Sequence, residues 1–361
     1  MIQNSILFPV IILFFLNACG QLYYACRLNK KFENEHSLVN SILTGVLWMI
    51  AGILYPFYFS FNSSGILFFK ILSVFFICIF TPILIGVILL YQYLFVVKKD
   101  SQIKKKKNIK IFLEHFEKNV KLNNDNYKTH SLKIDFYRKT LHLFPAGVII
   151  ILWTFSVYIW DGMWNADELW KISGEEFGRF LIITAGYSGI LIFAALDYLR
   201  LSYIFEKKNL FHLIPSSLLS ILSKSLKKRE IFEFTKPVAL VLAFTPIFFL
   251  PFGIFSAAAL ISTIGDGAAS LCGLKFGKKH FPKDSNKTII GYIAGFIASF
   301  LISILPLFIF MPNLGLVKIL LMALAGAVVF ILIDLSNLSI DDNILNPLIA
   351  GGIMALIYYF I

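Results

Sequence analysis

Cysteine is scarce in this chain, and none of it is paired. Cys19, Cys26, Cys78 and Cys272 each sit in or beside an apolar run. That distribution excludes a disulfide framework and the paired spacing of structural zinc. Histidine is also sparse, at six residues, and no H-E-x-x-H occurs, which removes the zinc-hydrolase reading. Soluble phosphate machinery is missing too. Gly273-Leu-Lys-Phe-Gly277-Lys-Lys is one residue short of a P-loop and lacks the following Ser or Thr. The H-R-D and D-F-G elements of soluble kinases are absent. No lipidation motif stands at either end. The first apolar run has neither a preceding cation nor a cleavage site, so it reads as a retained span.

What the chain has in excess is apolar surface. Of 361 residues, 58% are hydrophobic and 38 are Phe, with a mean hydropathy of +0.78. A soluble interior cannot hide that much, so the expected fold is all-α, a polytopic transmembrane helical bundle. Runs of about 20 apolar residues suit a hydrocarbon core about 30 Å thick. About ten spans are predicted, at 5–26, 38–60, 67–97, 140–160, 179–200, 236–251, 254–273, 288–311, 315–335 and 345–361. The third is long enough to tilt or to run beyond the bilayer. Pro251-Phe252-Gly253 reads as a tight turn, and Pro246 and Pro306 as kinks.

The net charge of +12 is unevenly placed. Loop 98–139 holds 13 Lys/Arg against 5 Asp/Glu, and loops 27–37, 201–235 and 274–287 are also basic. Loop 161–178 is acidic instead, and Trp160, Trp164 and Trp170 there read as an interfacial belt. The positive-inside rule then puts the basic loops in the cytosol and, with ten spans, both termini on the other side. Residues 98–135 carry Ile109, Phe112, Phe116 and Val120 at roughly helical spacing among lysines. They read either as an amphipathic helix on an anionic leaflet or as a solvated linker. Three parts result: a three-span module at 1–97, a basic linker at 98–135 and a seven-span domain at 136–361.

Polar residues recur at one end of the last seven spans. They are Arg138, Lys139 and His142; Asp197 and Arg200; Arg229 and Glu230; Gly265, Asp266 and Gly267; Lys287, Thr288 and Gly291; Asp334; and Asp341, Asp342 and Asn343. A carboxylate in a span is costly unless it faces protein, water or a cation, which makes Asp266 a functional candidate. A carboxylate able to hold a metal, beside lysines able to hold phosphates, points to nucleotide chemistry. A transporter would carry its ionisable residues through the midplane instead. Structural roles stand beside these. Gly265, Gly267, Gly291 and Gly295 also suit close helix packing. Asp197 and Arg200 also suit a local ion pair. Asp341 also suits a helix cap, His142 an interface histidine, and Lys275, Lys278 and Lys279 topology alone.

Gly265-Asp266-Gly267-Ala-Ala, then Gly273, Phe276-Gly277 and Lys287-Thr288-x-x-Gly291, resembles the core signature of the polyprenol kinase family, which includes dolichol, phytol and CTP-dependent diacylglycerol kinases. Arg138-Lys139-x-x-His142, Asp197-x-x-Arg200 with Arg229-Glu230, and Asp334 with Asp341-Asp342-Asn343 and Pro347 resemble its outlying blocks, in order. The resemblance covers residues 136–361. Ile290 stands where many relatives carry an acid, and Asp197 and Asp334 where glutamate is commoner.

The resemblance implies transfer of the γ-phosphoryl group of CTP, or another nucleoside triphosphate, to a polyprenol-type lipid alcohol. It implies Mg²⁺ on Asp266 and Asp342. It also implies phosphate contacts from Gly265, Gly267, Lys287, Thr288, Gly291, Arg138, Lys139, Arg200 and Asn343, with His142 or a carboxylate as proton acceptor. The implied partners are lipid alcohol, nucleotide and membrane lipids, with no nucleic acid. The implied site faces the cytosol, from a plasma membrane in a prokaryote or an endoplasmic reticulum in a eukaryote. CDP-diacylglycerol synthases share a related Lys-Thr-x-x-Gly core, so cytidylyl transfer or diacylglycerol phosphorylation is the alternative. A CDP-alcohol phosphotransferase is disfavoured, because Asp266-Gly267-Ala-Ala lacks the Ala-Arg that would follow.

Overall fold

A computed structural model describes residues 5–361, except 34–35, 62, 101, 110, 115–126, 206–208, 226–228, 283–284, 286 and 337. Among the described residues the fold is all-α, a polytopic helical bundle without strands. Phe116 and Val120 of the linker, and Lys283 and Asp284 of the lysine-rich loop, lie outside the described residues.

The helices longer than two turns begin with α1 (Phe8–Lys31) and α2 (Leu38–Leu54). α3 (Ile66–Val97) includes π-helical turns at Phe76–Phe80 and Gln92–Val97. α4 (Tyr127–Thr154) runs on as a π-helix to Asp161. α5 (Gly174–Leu201), α6 (Ser216–Ser225) and α7 (Lys236–Ile247) follow. α8 (Phe252–Phe276) contains a π turn at Ile261–Gly265. The last are α9 (Ile289–Phe310), α10 (Leu316–Ser336) and α11 (Asp342–Phe360).

Among the described residues, nine of these helices are long and apolar enough to cross a membrane. The expected sixth span is not one of them. α7 has 12 residues, which at about 1.5 Å per residue falls well short of a hydrocarbon core of about 30 Å. Its last turn contains Pro246, and Pro251 heads the next helix without an N–H to continue the ladder. The fourth span differs in the other direction. α4 starts at Tyr127, so Arg138 and His142 lie inside it rather than at its opening.

The chain divides into two compact units, residues 1–122 with 148–238 and residues 123–147 with 239–361. This interleaved division differs from the consecutive parts at 1–97, 98–135 and 136–361. In the first unit, α1 packs on α2, while α5 packs on α3 and on the π-helical end of α4. Its core is aromatic. Phe14 lies 4.9 Å from Trp48 and 4.5 Å from Tyr187, ring centre to ring centre. Tyr187 is fully buried and donates its hydroxyl to the Ala51 carbonyl at 2.7 Å. Tyr55 and Thr184 both donate to Ser73 Oγ, at 2.8 and 2.7 Å. Pairing hydroxyls this way removes the cost of leaving them unsatisfied in an apolar interior. Trp160 belongs to this core and not to an interfacial belt: it is buried and stacks on Phe177 at 4.2 Å. Trp164 and Trp170 are exposed, as expected.

Where described, the apolar residues of the basic linker pack on protein. Ile109 is buried in a cluster with Leu199, Phe211, Ile214 and Phe232, and Phe112 and Leu113 pack against it. Lys107 donates to the Ile214 carbonyl at 3.0 Å.

Asp197 and Arg200 also belong to the first unit, at 0% and 1% exposure. Arg200 binds Asp197 Oδ1 through Nε and Nη2, at 3.3 and 2.9 Å. Its Nη1 donates to the Glu230 carbonyl at 3.2 Å, and Nη2 also donates to the Glu233 carbonyl. Asp197 Oδ2 accepts from the amide and hydroxyl of Thr235, at 2.8 and 2.9 Å. His36 joins the same segment, with Nδ1 donating to the Phe232 carbonyl at 2.9 Å. Burial pushes the His36 pKa below its ordinary value, against the upward pull of that carbonyl. This is a structural clamp that fixes residues 230–235 to the end of α5. Removing one partner strands a buried charge, so Arg200→Met should cost about 3–5 kcal/mol. Thermal unfolding in detergent checks this; a melting point within about 1 °C of the parent would remove the clamp role.

Candidate active site

The second unit gathers most of the predicted site. It begins with a helix whose polarity is inverted. On the N-terminal half of α4, Asp135, Arg138, Lys139 and His142 are buried, while Phe136, Tyr137, Leu143 and Phe144 are exposed. The buried set recurs every three or four residues and therefore occupies one face. A membrane helix that turns its ions inward does so because lipid cannot solvate them.

Two partners on α8 receive that face. Lys139 Nζ forms an ion pair with Asp266 Oδ2, at 9% and 14% side-chain exposure. Asp135 binds Arg138 through Oδ1 at 2.7 Å and accepts from the Ser270 hydroxyl through Oδ2. Asp266 lies deeper than expected. α8 continues to Phe276, which leaves ten residues between the acid and the helix end. The π turn Ile261–Gly265 ends immediately before it. Such a turn inserts one extra residue and re-aims the side chains that follow, a frequent device at functional positions.

A second pair stands where α9, α10 and α11 meet. Lys287 Nζ binds Asp334 Oδ1 at 2.6 Å and the Asp334 carbonyl at 2.9 Å. Asp334 is close enough to feel the charges of both Asp266 and Asp342, which ties the two pairs into one electrostatic group. Asp341 caps α11, accepting from the Asn343 amide at 3.0 Å, so that helix starts at Asp342 rather than near Asn346. Asn343 Nδ2 donates to Asp341 Oδ1 at 2.6 Å and to Asp342 Oδ1 at 3.1 Å. Its Oδ1 is buried and has no donor, and neither has Asn346 Oδ1 one turn on.

Among the described residues, Asp135, Asp266, Asp334, Asp341 and Asp342 stand in this group with Arg138, Lys139 and Lys287. Two buried amide oxygens without a donor, on the helix that carries Asp342, suit a further cation.

Several predicted contacts turn out to be scaffold. Thr288 caps α9, with Oγ1 accepting from the Gly291 amide at 3.2 Å. A Cβ on Gly291 would stand 2.8 Å from the Ala269 carbonyl, and one on Gly295 would stand 2.6 Å from the Phe330 ring. A Cβ on Gly265 would run into Ser299 Oγ. These glycines let α8, α9 and α10 approach closely. Gly267 differs, since a Cβ there would meet only Lys139 Cβ, at an ordinary 3.8 Å. Arg200 belongs to the first unit and its three nitrogens bind protein oxygens, so it is not among the gathered residues. Lys275, Lys278 and Lys279 are exposed. The prediction missed Asp135, Ser270 and Asn346. Asp135 was recoverable, since it stands three residues before Arg138 on a helix.

No family model, curated protein or solved structure matches this chain.

Gly291→Ala sets a Cβ 2.8 Å from the Ala269 backbone carbonyl, forces α9 away from α8 and should lower the melting temperature by several degrees, on the order of 1–3 kcal/mol. Gly267→Ala has room and should leave stability unchanged. Equal melting points for the two variants would contradict the packing assignment.

Proposed function

We propose that the second unit is the catalytic site of a membrane lipid kinase, which transfers the γ-phosphoryl group of CTP or a related triphosphate to a polyprenol-type alcohol. The observation that carries this reading is the coupled pair of ion pairs, Lys139–Asp266 and Lys287–Asp334, with Asp342 and Asn343 beside them. Phosphoryl transfer asks little covalent work of the protein; it needs positioning and charge neutralisation. Ammonium groups paired with carboxylates inside a bundle of apolar helices supply both.

Among the described residues, no three His, Cys, Asp or Glu side chains converge to hold a metal ion. A dedicated cage is not required, because magnesium in such sites is held by one or two carboxylates and by the substrate phosphates. Asp266 and Asp342 would supply the carboxylates, and the unpartnered Asn343 Oδ1, on the amide that bridges Asp341 and Asp342, a neutral oxygen. When bound, magnesium would neutralise phosphate charge.

The chain's own groups do the rest. Lys139 and Lys287 are placed to bind phosphate oxygens, and Arg138, oriented by Asp135, adds a planar donor. His142, buried on the same face of α4, or a carboxylate of the group takes the proton of the attacking hydroxyl. The basic loop 274–287, next to the ends of α8 and α9, supports a cytosolic site by the positive-inside rule.

The test is an assay of purified protein with labelled CTP and ATP against dolichol, shorter prenols and diacylglycerol. Lipid phosphate plus nucleoside diphosphate is expected, and pyrophosphate plus CDP-lipid would replace the kinase by a cytidylyltransferase. Asp266→Asn and Lys287→Ala should each reduce turnover at least about a hundredfold while the protein still inserts and elutes as a folded species. Full activity in either variant, or in excess chelator, would remove the assignment.

A further inference from the structure

Two ion pairs of the second unit each join a group suited to a metal with a group suited to a phosphate. Lys139 Nζ sits on Asp266, and Lys287 Nζ sits on Asp334 through both its carboxylate and its carbonyl. We propose that Lys139 and Lys287 are tethered stand-ins for a divalent cation, which exchange places with it when a metal–triphosphate arrives. The proposal rests on the lipid-kinase reading and adds a control to the same site.

Three observations support it beyond the acidic cluster itself. Both lysines lie directly on carboxylate oxygens, the positions a hard cation would take. Asn343 Oδ1 is a buried carbonyl oxygen without a donor, on an amide whose nitrogen already bridges Asp341 and Asp342. Such an orphan is costly unless a ligand satisfies it. Finally, Lys287 differs from Arg200 in what holds it. Lys287 is 37% exposed on a flexible stem, so it can swing, whereas Arg200 is sealed by three sets of bonds.

The exchange has a direct consequence. Without nucleotide, a divalent cation must displace an ammonium that then has no anion to meet, so metal binds weakly. With a triphosphate present, the released lysine finds phosphate oxygens, and metal and nucleotide favour each other's binding.

The test uses Mn²⁺ alone, titrated into the full-length protein in detergent without nucleotide and read by electron paramagnetic resonance. Lys287→Gln should tighten Mn²⁺ binding on the order of tenfold, and adding Asp334→Asn to that variant should reverse the gain. In the parent protein, Mn²⁺ should speed amine-reactive labelling of Lys287 while leaving exposed Lys275, Lys278 and Lys279 unchanged. Unchanged or weaker Mn²⁺ binding by a folded Lys287→Gln protein would overturn the exchange. If that variant does not fold, the labelling decides, and a Lys287 rate unaffected by Mn²⁺ up to about 10 mM overturns it equally. Tightening without any lipid phosphorylation would leave the exchange standing and remove the kinase. Phosphorylation without tightening would do the reverse.

Discussion

A carboxylate ten residues inside an apolar helix cannot be left to the bilayer, and the second unit is organised around that constraint. Charge transferred from water to hydrocarbon is so unfavourable that an ion persists there only beside a counter-ion or in a wet cavity. Asp266 meets the requirement through Lys139. Lys139 can reach it only if α4 turns its ionic face inward. Phe136, Leu143 and Phe144 then face outward, as lipid-exposed side chains should. One ion pair thus accounts for the rotation of α4 about its axis and for its belonging with α8 up to Gly147.

Close packing supplies what electrostatics cannot. Inside a membrane no hydrophobic force drives helices together, so small residues that let backbones touch carry the association. Gly265 faces Ser299, Gly291 faces the Ala269 carbonyl, and Gly295 faces Phe330 and Ala269. Together they fix α8 against α9 and α9 against α10, and so set how near Asp266 comes to Asp334. Thr288 holds the first turn of α9 and brings Lys287 to the helix entrance. Thr288 and Gly291, which read as phosphate ligands in the sequence, are used here to cap and pack α9.

The spans were legible because about 20 apolar residues in a row have few alternatives. Their limits were less so. Nothing between Tyr127 and Lys139 punctuates the chain, no proline or glycine, so α4 simply starts earlier than hydropathy suggests. Pro246 and Pro251 shorten α7 to a length that hydropathy windows do not resolve. Ile109 and Phe112 carried a helical period that is compatible with lipid or protein. Their burial against Phe211 and Phe232 is a long-range choice that local pattern cannot encode.

The sharpest separation lies between two pairs that look alike in the sequence. Asp135–Arg138 and Asp197–Arg200 share one spacing, one pair of residue types and one local geometry. Spacing alone assigns both to the same role. Burial and company separate them. Arg200 is closed in at 1% exposure, its nitrogens bonded to Asp197 and to two carbonyls, and such an ion can stabilise but cannot receive a ligand. Asp135–Arg138 stands on the face of α4 that also carries Lys139, and through Asp266 and Asp334 that face connects to Lys287 at 37% exposure. An ion that can move only by unfolding its neighbours is scaffold. One that can trade its partner for another at modest cost is what a binding site requires.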